Sequence, residues 1–160
     1  MDLTVELAYN DQEELRPLFL EYTEMLVRES PSVADYLNLQ HYDAELLDLE
    51  SKYGLPDGRL YLARVDGAAA GCAALRKLDE SRCELKRMYV RPQYRGKKIS
   101  GALLDRLLAD AHEIGYQKML LDTLPFLTTA ITMYRRRGFQ EIPCYNDSPV
   151  PETIYMEREL

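Results

Sequence analysis

The sequence predicts a mixed α/β fold, a mostly antiparallel central sheet flanked by helices, in one domain over residues 1–160. Three observations predict it. The hydrophobic period changes from helical to alternating once the Gly54-Leu55-Pro56-Asp57-Gly58 turn is passed. Asp66-Gly67 then stands between two apolar runs as a hairpin signal. From Cys83 onward, short strand-like runs alternate with helical stretches punctuated by glycine and proline.

Taken in order, Leu3 to Tyr9 alternates loosely and reads as a first strand. Asn10 or Asp11 caps a helix running to about Arg28, with Leu15, Leu18, Phe19, Tyr22, Met25 and Leu26 on one face. Glu29-Ser30-Pro31-Ser32 breaks it, and a second helix is expected over Tyr42 to Tyr53. Arg59–Val65, Ala68–Leu75 and Cys83–Val90 read as three strands of an antiparallel meander. A helix follows from Ile99 to Glu113, with Gly115 as its C-cap. Met119-Leu120-Leu121 is a short buried strand. A helix is expected over Thr128–Arg136, then strands over Phe139–Ile142 and Thr153–Glu159. The strand–loop–helix junction at residues 90–99 is where such sheets bind ligands.

Composition narrows the function classes. A chain of 160 residues with 46% hydrophobic side chains can bury a real core, which excludes a disordered segment. No apolar run approaches the ~20 residues that span a bilayer. Met1-Asp2-Leu3-Thr4-Val5-Glu6 lacks the basic and apolar regions of a signal peptide. Cys72, Cys83 and Cys144 show no metal-ligand spacing, and an odd, scattered set fits a reducing cytoplasm. No metal is implied. His41 and His112 stand alone and read as surface or structural residues.

The net charge of −7 is unevenly spread. Residues 82–98 hold 7 basic side chains and a single acid, Glu84, while residues 1–81 hold 17 acids and 7 bases. One compact basic patch on an acidic chain favours a small anionic ligand over a long nucleic-acid track. The patch covers Arg91, Arg95, Lys97 and Lys98, just before a helix start. Helix starts carry free N–H groups and partial positive charge, so the stretch describes a seat for a phosphate or pyrophosphate. A solvated charged loop is the plainer alternative.

From about Leu60 to the C-terminus the chain resembles the GNAT family of N-acetyltransferases, most closely from Glu84 to Gly138. Glu84-Leu85-Lys86-Arg87-Met88-Tyr89-Val90 matches the family's central strand. Arg95-Gly96-Lys97-Lys98-Ile99-Ser100 matches the pattern Arg/Gln-x-x-Gly-x-Gly/Ala, with Lys98 and Ser100 in the places of the small residues. Ala130-Ile131-Thr132-Met133-Tyr134-Arg135-Arg136-Arg137-Gly138-Phe139 matches Ala-x-x-x-Tyr-x-x-x-Gly-Phe. Leu127 stands where the family often has asparagine.

The resemblance implies acetyl transfer from acetyl-CoA, as co-substrate, to a primary amine of a small molecule or peptide, by direct attack in a ternary complex. It implies that the pyrophosphate lies along Arg95, Gly96, Lys97, Lys98, Ile99, Ser100 and Gly101, and that Met88, Tyr89 and Val90 offer strand backbone to the acetyl and pantetheine groups. A fixed N–H aimed at the acetyl oxygen would stabilise its developing charge. Tyr134 is the expected acid at the leaving sulfur, with core packing as its plainer role. Glu84 is the expected general base, with a strand ion pair to Lys86 or Arg82 as the alternative. The acceptor is expected between the N-terminal helices and the loop Tyr145–Pro151. Neither nucleic acid nor membrane is an expected partner, and a homodimer is the assembly to test. A competing reading is a non-catalytic acyl-CoA-binding sensor or partner module. A Walker-type nucleotide site needs Gly-x-x-x-x-Gly-Lys-Ser/Thr, which this sequence lacks.

Overall fold

A computed structural model describes residues 1–39 and 41–160. Among these, the strands are β1 (Leu3–Leu7), β2 (Arg59–Val65), β3 (Ala68–Lys77), β4 (Arg82–Val90), β5 (Lys118–Thr123), β6 (Gln140–Ile142) and β7 (Ile154–Glu159). The helices are α1 (Gln12–Glu29), α2 (Val33–Leu39), α3 (Tyr42–Leu47), α4 (Leu49–Tyr53), α5 (Ile99–Ile114) and α6 (Thr128–Arg136). The strands form one sheet in the order β1-β2-β3-β4-β5-β7-β6. Every pairing is antiparallel except β4 with β5. The expected mixed sheet and its three-strand meander are therefore present.

Strand alternation sorts side chains onto two faces. Tyr61, Ala63, Ala73 and Leu75 pack with α5, while Leu60, Leu62, Cys72 and Ala74 pack with α1 and the short helices. The helical spacing Leu103, Leu104, Leu107 places three fully buried leucines on the first face. Each stabilises by about 1.5–3 kcal/mol relative to exposure, which pins α5 to the sheet. Gly115 ends α5 in the left-handed conformation, at φ 109°.

Two features of β4 position the site. First, β4 pairs with β5 only through Arg82–Glu84 against Lys118–Leu120. Beyond Glu84 no ladder joins the two strands, so the sheet opens along Leu85–Val90. Second, the register with β3 jumps from Ala74↔Lys86 to Cys72↔Tyr89, so Arg87 and Met88 together oppose Ala73. This is a β-bulge, and Arg87 takes the left-handed conformation at φ 58° to make it. A bulge bends and twists its strand, which carries the end of β4 away from β5.

One expectation needs correcting. The helix expected over Tyr42–Tyr53 is two helices, broken at Asp48 (φ −147°, ψ 77°). The Asp48 carboxylate accepts a hydrogen bond from the Ser51 N–H at 3.2 Å, so a capping aspartate starts a new helix where leucine spacing suggested continuation. Sequence patterning assigns no element between Ser32 and Tyr42, where Val33–Leu39 forms α2. Val33 and Leu37 bury there, and two such positions show no clear period in sequence.

Candidate active site

The loop after β4 begins with a 3-10 turn over Pro92–Tyr94. Proline at its first position fixes the entry angle. Gly96 follows at φ 79° and Lys98 at φ 63°, and α5 then starts at Ile99. No atom lies within 4 Å of a Cβ built on Gly96, so glycine is needed there for its backbone conformation, not for space. Lys98 holds a left-handed conformation where the family pattern has glycine, which explains the pattern physically: that position needs a positive φ.

Among the described residues, none accepts a hydrogen bond from the N–H groups of residues 96–101. The first turn of α5 holds no acid. Arg95, Lys97 and Lys98 are exposed beside it. Ser100 and Gly101 are half-buried, and Ile99 turns inward as a core residue. Gly101 lies against the Arg137 guanidinium, which Asp105 holds at 2.7 Å; a Cβ on Gly101 would come within 2.7 Å of it. These six N–H groups, a helix start free of acids and the neighbouring cations fit a diphosphate.

Arg95 donates to the Val90 carbonyl at 3.1 Å, and its guanidinium lies 6.0 Å from the Tyr89 ring centre. Arg91 is held by Glu21 of α1 at 2.8 Å. The rings of Tyr22 and Tyr89 meet at 5.8 Å. The loop is thus tied to α1. Val90 and Tyr89 are buried and Met88 half-buried on the length of β4 that β5 does not pair.

At the other end of the gap lies a cavity of about 50 Å³, lined by residues of α1, α2, β4, β5 and α6. Its polar lining is Tyr22, Tyr36, Lys86, Arg87, Asp122 and Tyr134, and Met88 reaches it as well. Tyr134 is 5% exposed and belongs to the core on the α5 face. Its presence beside residues of α1 and α2 shows that the opening between β4 and β5 connects the two faces. The ring packs edge-on against Phe139 at 5.7 Å. None of the described residues hydrogen-bonds its hydroxyl. Burial pushes this phenol well above its ordinary range, helped by Tyr22 and Asp122. It therefore stays protonated at neutral pH and is a hydrogen-bond donor.

Glu84 is not brought to the cavity. It is 2% exposed; one carboxylate oxygen takes a hydrogen bond from Arg76 at 2.7 Å and the other from the Tyr145 hydroxyl at 2.5 Å. Burial raises its pKa, but Lys86, Arg76 and Tyr145 overcome that and hold it below the ordinary carboxylate value. The ion pair it makes is with Arg76 across the β3–β4 register, not with Lys86 or Arg82. Both oxygens are engaged by side chains outside the cavity, and Glu84 is not among the residues that line it.

Besides Tyr134 and Met88, which sequence reasoning named, the cavity is lined by polar groups that it missed. Asp122, at the end of β5, accepts from the Tyr36 hydroxyl at 2.5 Å and from the Asn146 amide at 2.9 Å. Helix α2 and the loop after β6 thus meet on this carboxylate. Beneath it, Arg87 and Glu45 of α3 form a buried bidentate pair at 2.8 Å, with Lys52 and Tyr53 on the same carboxylate at 2.7 and 2.9 Å. The Tyr42 ring centre lies 5.1 Å from the Arg87 guanidinium. The available signal was Lys86-Arg87 between the apolar residues Leu85 and Met88 of a central strand, since buried cations are rare unless partnered. Elsewhere, His41 and His112 are exposed. Cys83 is buried, and burial pushes its thiol up to about 12, so it is no nucleophile.

Comparison with known proteins agrees with this geometry. The acetyltransferase (GNAT) family matches residues 14–139. An uncharacterized N-acetyltransferase of Schizosaccharomyces pombe is 37% identical over 126 residues, 78% of this chain and 77% of that protein. The IAA acetyltransferase of Azospirillum brasilense is 36% identical over 124 residues, 74% and 80% of the two chains. The PaiA N-acetyltransferase of Thermoplasma acidophilum, solved in complex with coenzyme A, shares the fold with a TM-score of 0.70 at 22% identity over 100% of both chains. A GNAT acetyltransferase of Elizabethkingia anophelis with acetyl-CoA bound has a TM-score of 0.58 at 25% identity, covering 72% of this chain and 82% of its own. The chain therefore belongs to the GNAT family of acetyltransferases, enzymes that use acetyl-CoA as co-substrate.

Proposed function

We propose that the protein is a single-domain N-acetyltransferase that moves an acetyl group to the primary amine of a small molecule by direct attack in a ternary complex. The observation that carries this reading is the β4–β5 opening, with a main-chain diphosphate seat at one end and the Tyr134 hydroxyl in a polar cavity at the other. Acetyl-CoA supplies the activated acetyl thioester. Residues 96–101 hold its diphosphate, with Arg95, Lys97 and Lys98 alongside. The unpaired edge of β4 at Met88–Val90 offers backbone groups to the acyl arm. The cavity's size favours a small acceptor over a peptide.

In the reaction a C–N bond forms, the C–S bond breaks and the amine gives up a proton. Asp122 is the carboxylate on the cavity and receives the incoming ammonium. We assign it the proton. Glu84 then acts as a positioning residue: it fixes Tyr145, next in sequence to the Asn146 that holds Asp122. The Tyr134 phenol donates a hydrogen bond to the departing sulfur, and its raised pKa keeps that proton in place until charge develops. The protein works in the cytoplasm in this reading, where Cys72, Cys83 and Cys144 remain free thiols. It needs neither nucleic acid nor membrane, and light scattering tests the homodimer.

Thiol release from acetyl-CoA over a panel of amines is the direct test. Turnover that falls about 100-fold in Tyr134→Phe, with unchanged coenzyme A affinity, is the expected result. Asp122→Asn should lower kcat about as far as Tyr134→Phe does, whereas Glu84→Gln should lower it less. Coenzyme A binding without thiol release for any amine would instead favour the acyl-CoA-binding module.

A further inference from the structure

We infer that Arg137 is a coenzyme-binding residue, whose guanidinium Asp105 aims at the diphosphate across the space that Gly101 leaves on α5. The inference rests on the reading of residues 96–101 as the diphosphate seat. Arg137 directly follows α6, and its N–H donates to the Tyr134 carbonyl at 3.1 Å. Its side chain crosses to α5. There Nε donates to one Asp105 carboxylate oxygen at 2.7 Å and Nη2 to the other at 3.2 Å. One edge of the planar fork is fixed, and with it the direction of the whole group.

Gly101 shows where that group lies. It is the third residue of α5, in the turn whose N–H groups form the seat. The three heavy atoms nearest to a Cβ built on it all belong to the Arg137 guanidinium: Nη2 at 2.7 Å, Cζ at 3.5 Å and Nη1 at 3.9 Å. A cation thus occupies the space that any other side chain at this position would take. Glycine is a poor helix former, and room for the guanidinium is what it supplies here. Asp105 lies one turn further into α5, about 6 Å along the axis from Gly101 and away from the seat. The guanidinium touches both residues, so it lies on the seat side of the carboxylate. The donors on Nη1 and Nη2 that Asp105 does not use suit two phosphate oxygens. Arg137 is half-buried and already held, so ordering it on binding costs less than ordering the exposed Lys97 and Lys98.

Calorimetry with coenzyme A and with dephospho-coenzyme A, which keeps the diphosphate and lacks the ribose phosphate, tests the assignment. Arg137→Gln should weaken both ligands by the same factor, about tenfold. Gly101→Ala keeps the arginine but takes its space. It should reproduce most of that loss while preserving or raising the melting temperature, because alanine favours the helix. In the double variant the two losses should not add, since each removes the same contact. Arg135→Gln removes an equal charge from an exposed position of α6 and should change either affinity less than twofold. Unchanged affinity in Arg137→Gln overturns the inference. So does a loss confined to coenzyme A, which assigns the arginine to the ribose phosphate, or an equal loss in Arg135→Gln, which reduces its effect to long-range charge. Losses that track a falling melting temperature in both single variants make Arg137 a staple between helices and overturn it too. Gly96→Ala judges the seat separately. If it weakens binding while Arg137→Gln does not, only the inference fails; if neither does, both readings fail.

Discussion

The two ends of the β4–β5 opening are built differently. The diphosphate seat is main chain: six consecutive N–H groups, a left-handed glycine and a helix start, with exposed lysines around them. The proposed acceptor end is side chain: tyrosines, two cations and carboxylates from α2, α3, β4, β5 and the late loop, buried or half-buried. A backbone seat recognises the part of a ligand that never changes, and depends on conformation more than on residue identity. A buried side-chain network recognises the part that differs between enzymes, and depends on every charge having its partner. Substitutions should therefore strike the two ends in different ways.

The largest effect is expected at the acceptor end. Glu45→Ala strands Arg87 in the interior and should cost about 3–5 kcal/mol of stability, measured by urea unfolding. Replacing both partners by methionine should cost much less, since no orphaned charge remains. A single variant as stable as the wild type would show that the pair is not buried in solution. Acid provides a second route to the same contrast. Burial raises the Glu45 pKa, but Arg87 and Lys52 outweigh it and bring it from 4.5 to about 2. A pKa depressed in the folded state contributes stability above the unfolded value and loses it as pH falls toward the folded one. About 2 kcal/mol should be lost between pH 5 and pH 3 from this group. Glu45→Gln should show a shallower decline over the same range.

At the diphosphate end the effects should be smaller and should appear in affinity. Gly96→Ala forces a side chain into the left-handed region, at about 1 kcal/mol, and should weaken coenzyme A binding about fivefold by calorimetry. No neighbouring atom obstructs the new methyl group, so a much larger loss would mean that the ligand itself approaches the Cα. The smallest change should be a gain: Lys98→Gly relieves a left-handed lysine and should stabilise the free protein by about 0.5–1 kcal/mol in thermal unfolding. Destabilisation there would show that the lysine side chain holds the loop.

This division also explains what was legible beforehand. The loop after β4 was readable because its chemistry lies in short local spacing: proline, glycine, basic residues, then an amphipathic helix. Tyr134 was readable for the same reason, through its place in a helix with Gly138 behind it. Glu84 was named for its position on the strand, yet strand position does not reveal that Arg76 and Tyr145 take up both its oxygens. Asp122, Tyr36 and Asn146 lie 24 to 110 residues apart, and no spacing rule joins them. Helix α2 was missed because two buried residues make no period, and the break at Asp48 because a capping aspartate looks like any surface acid.

By itself the sequence determined the alternation of strands and helices, the hairpin at Asp66-Gly67 and the loop conformation that suits a diphosphate, because each is settled by side-chain period or backbone freedom over a few residues. Only the tertiary structure decided that β4 bulges at Arg87 and parts from β5, that Arg87 finds Glu45 across the α3 interface, and that Lys86 and Asp122 share a cavity. Those outcomes depend on which distant charges are buried together, and burial is a property of the packed chain.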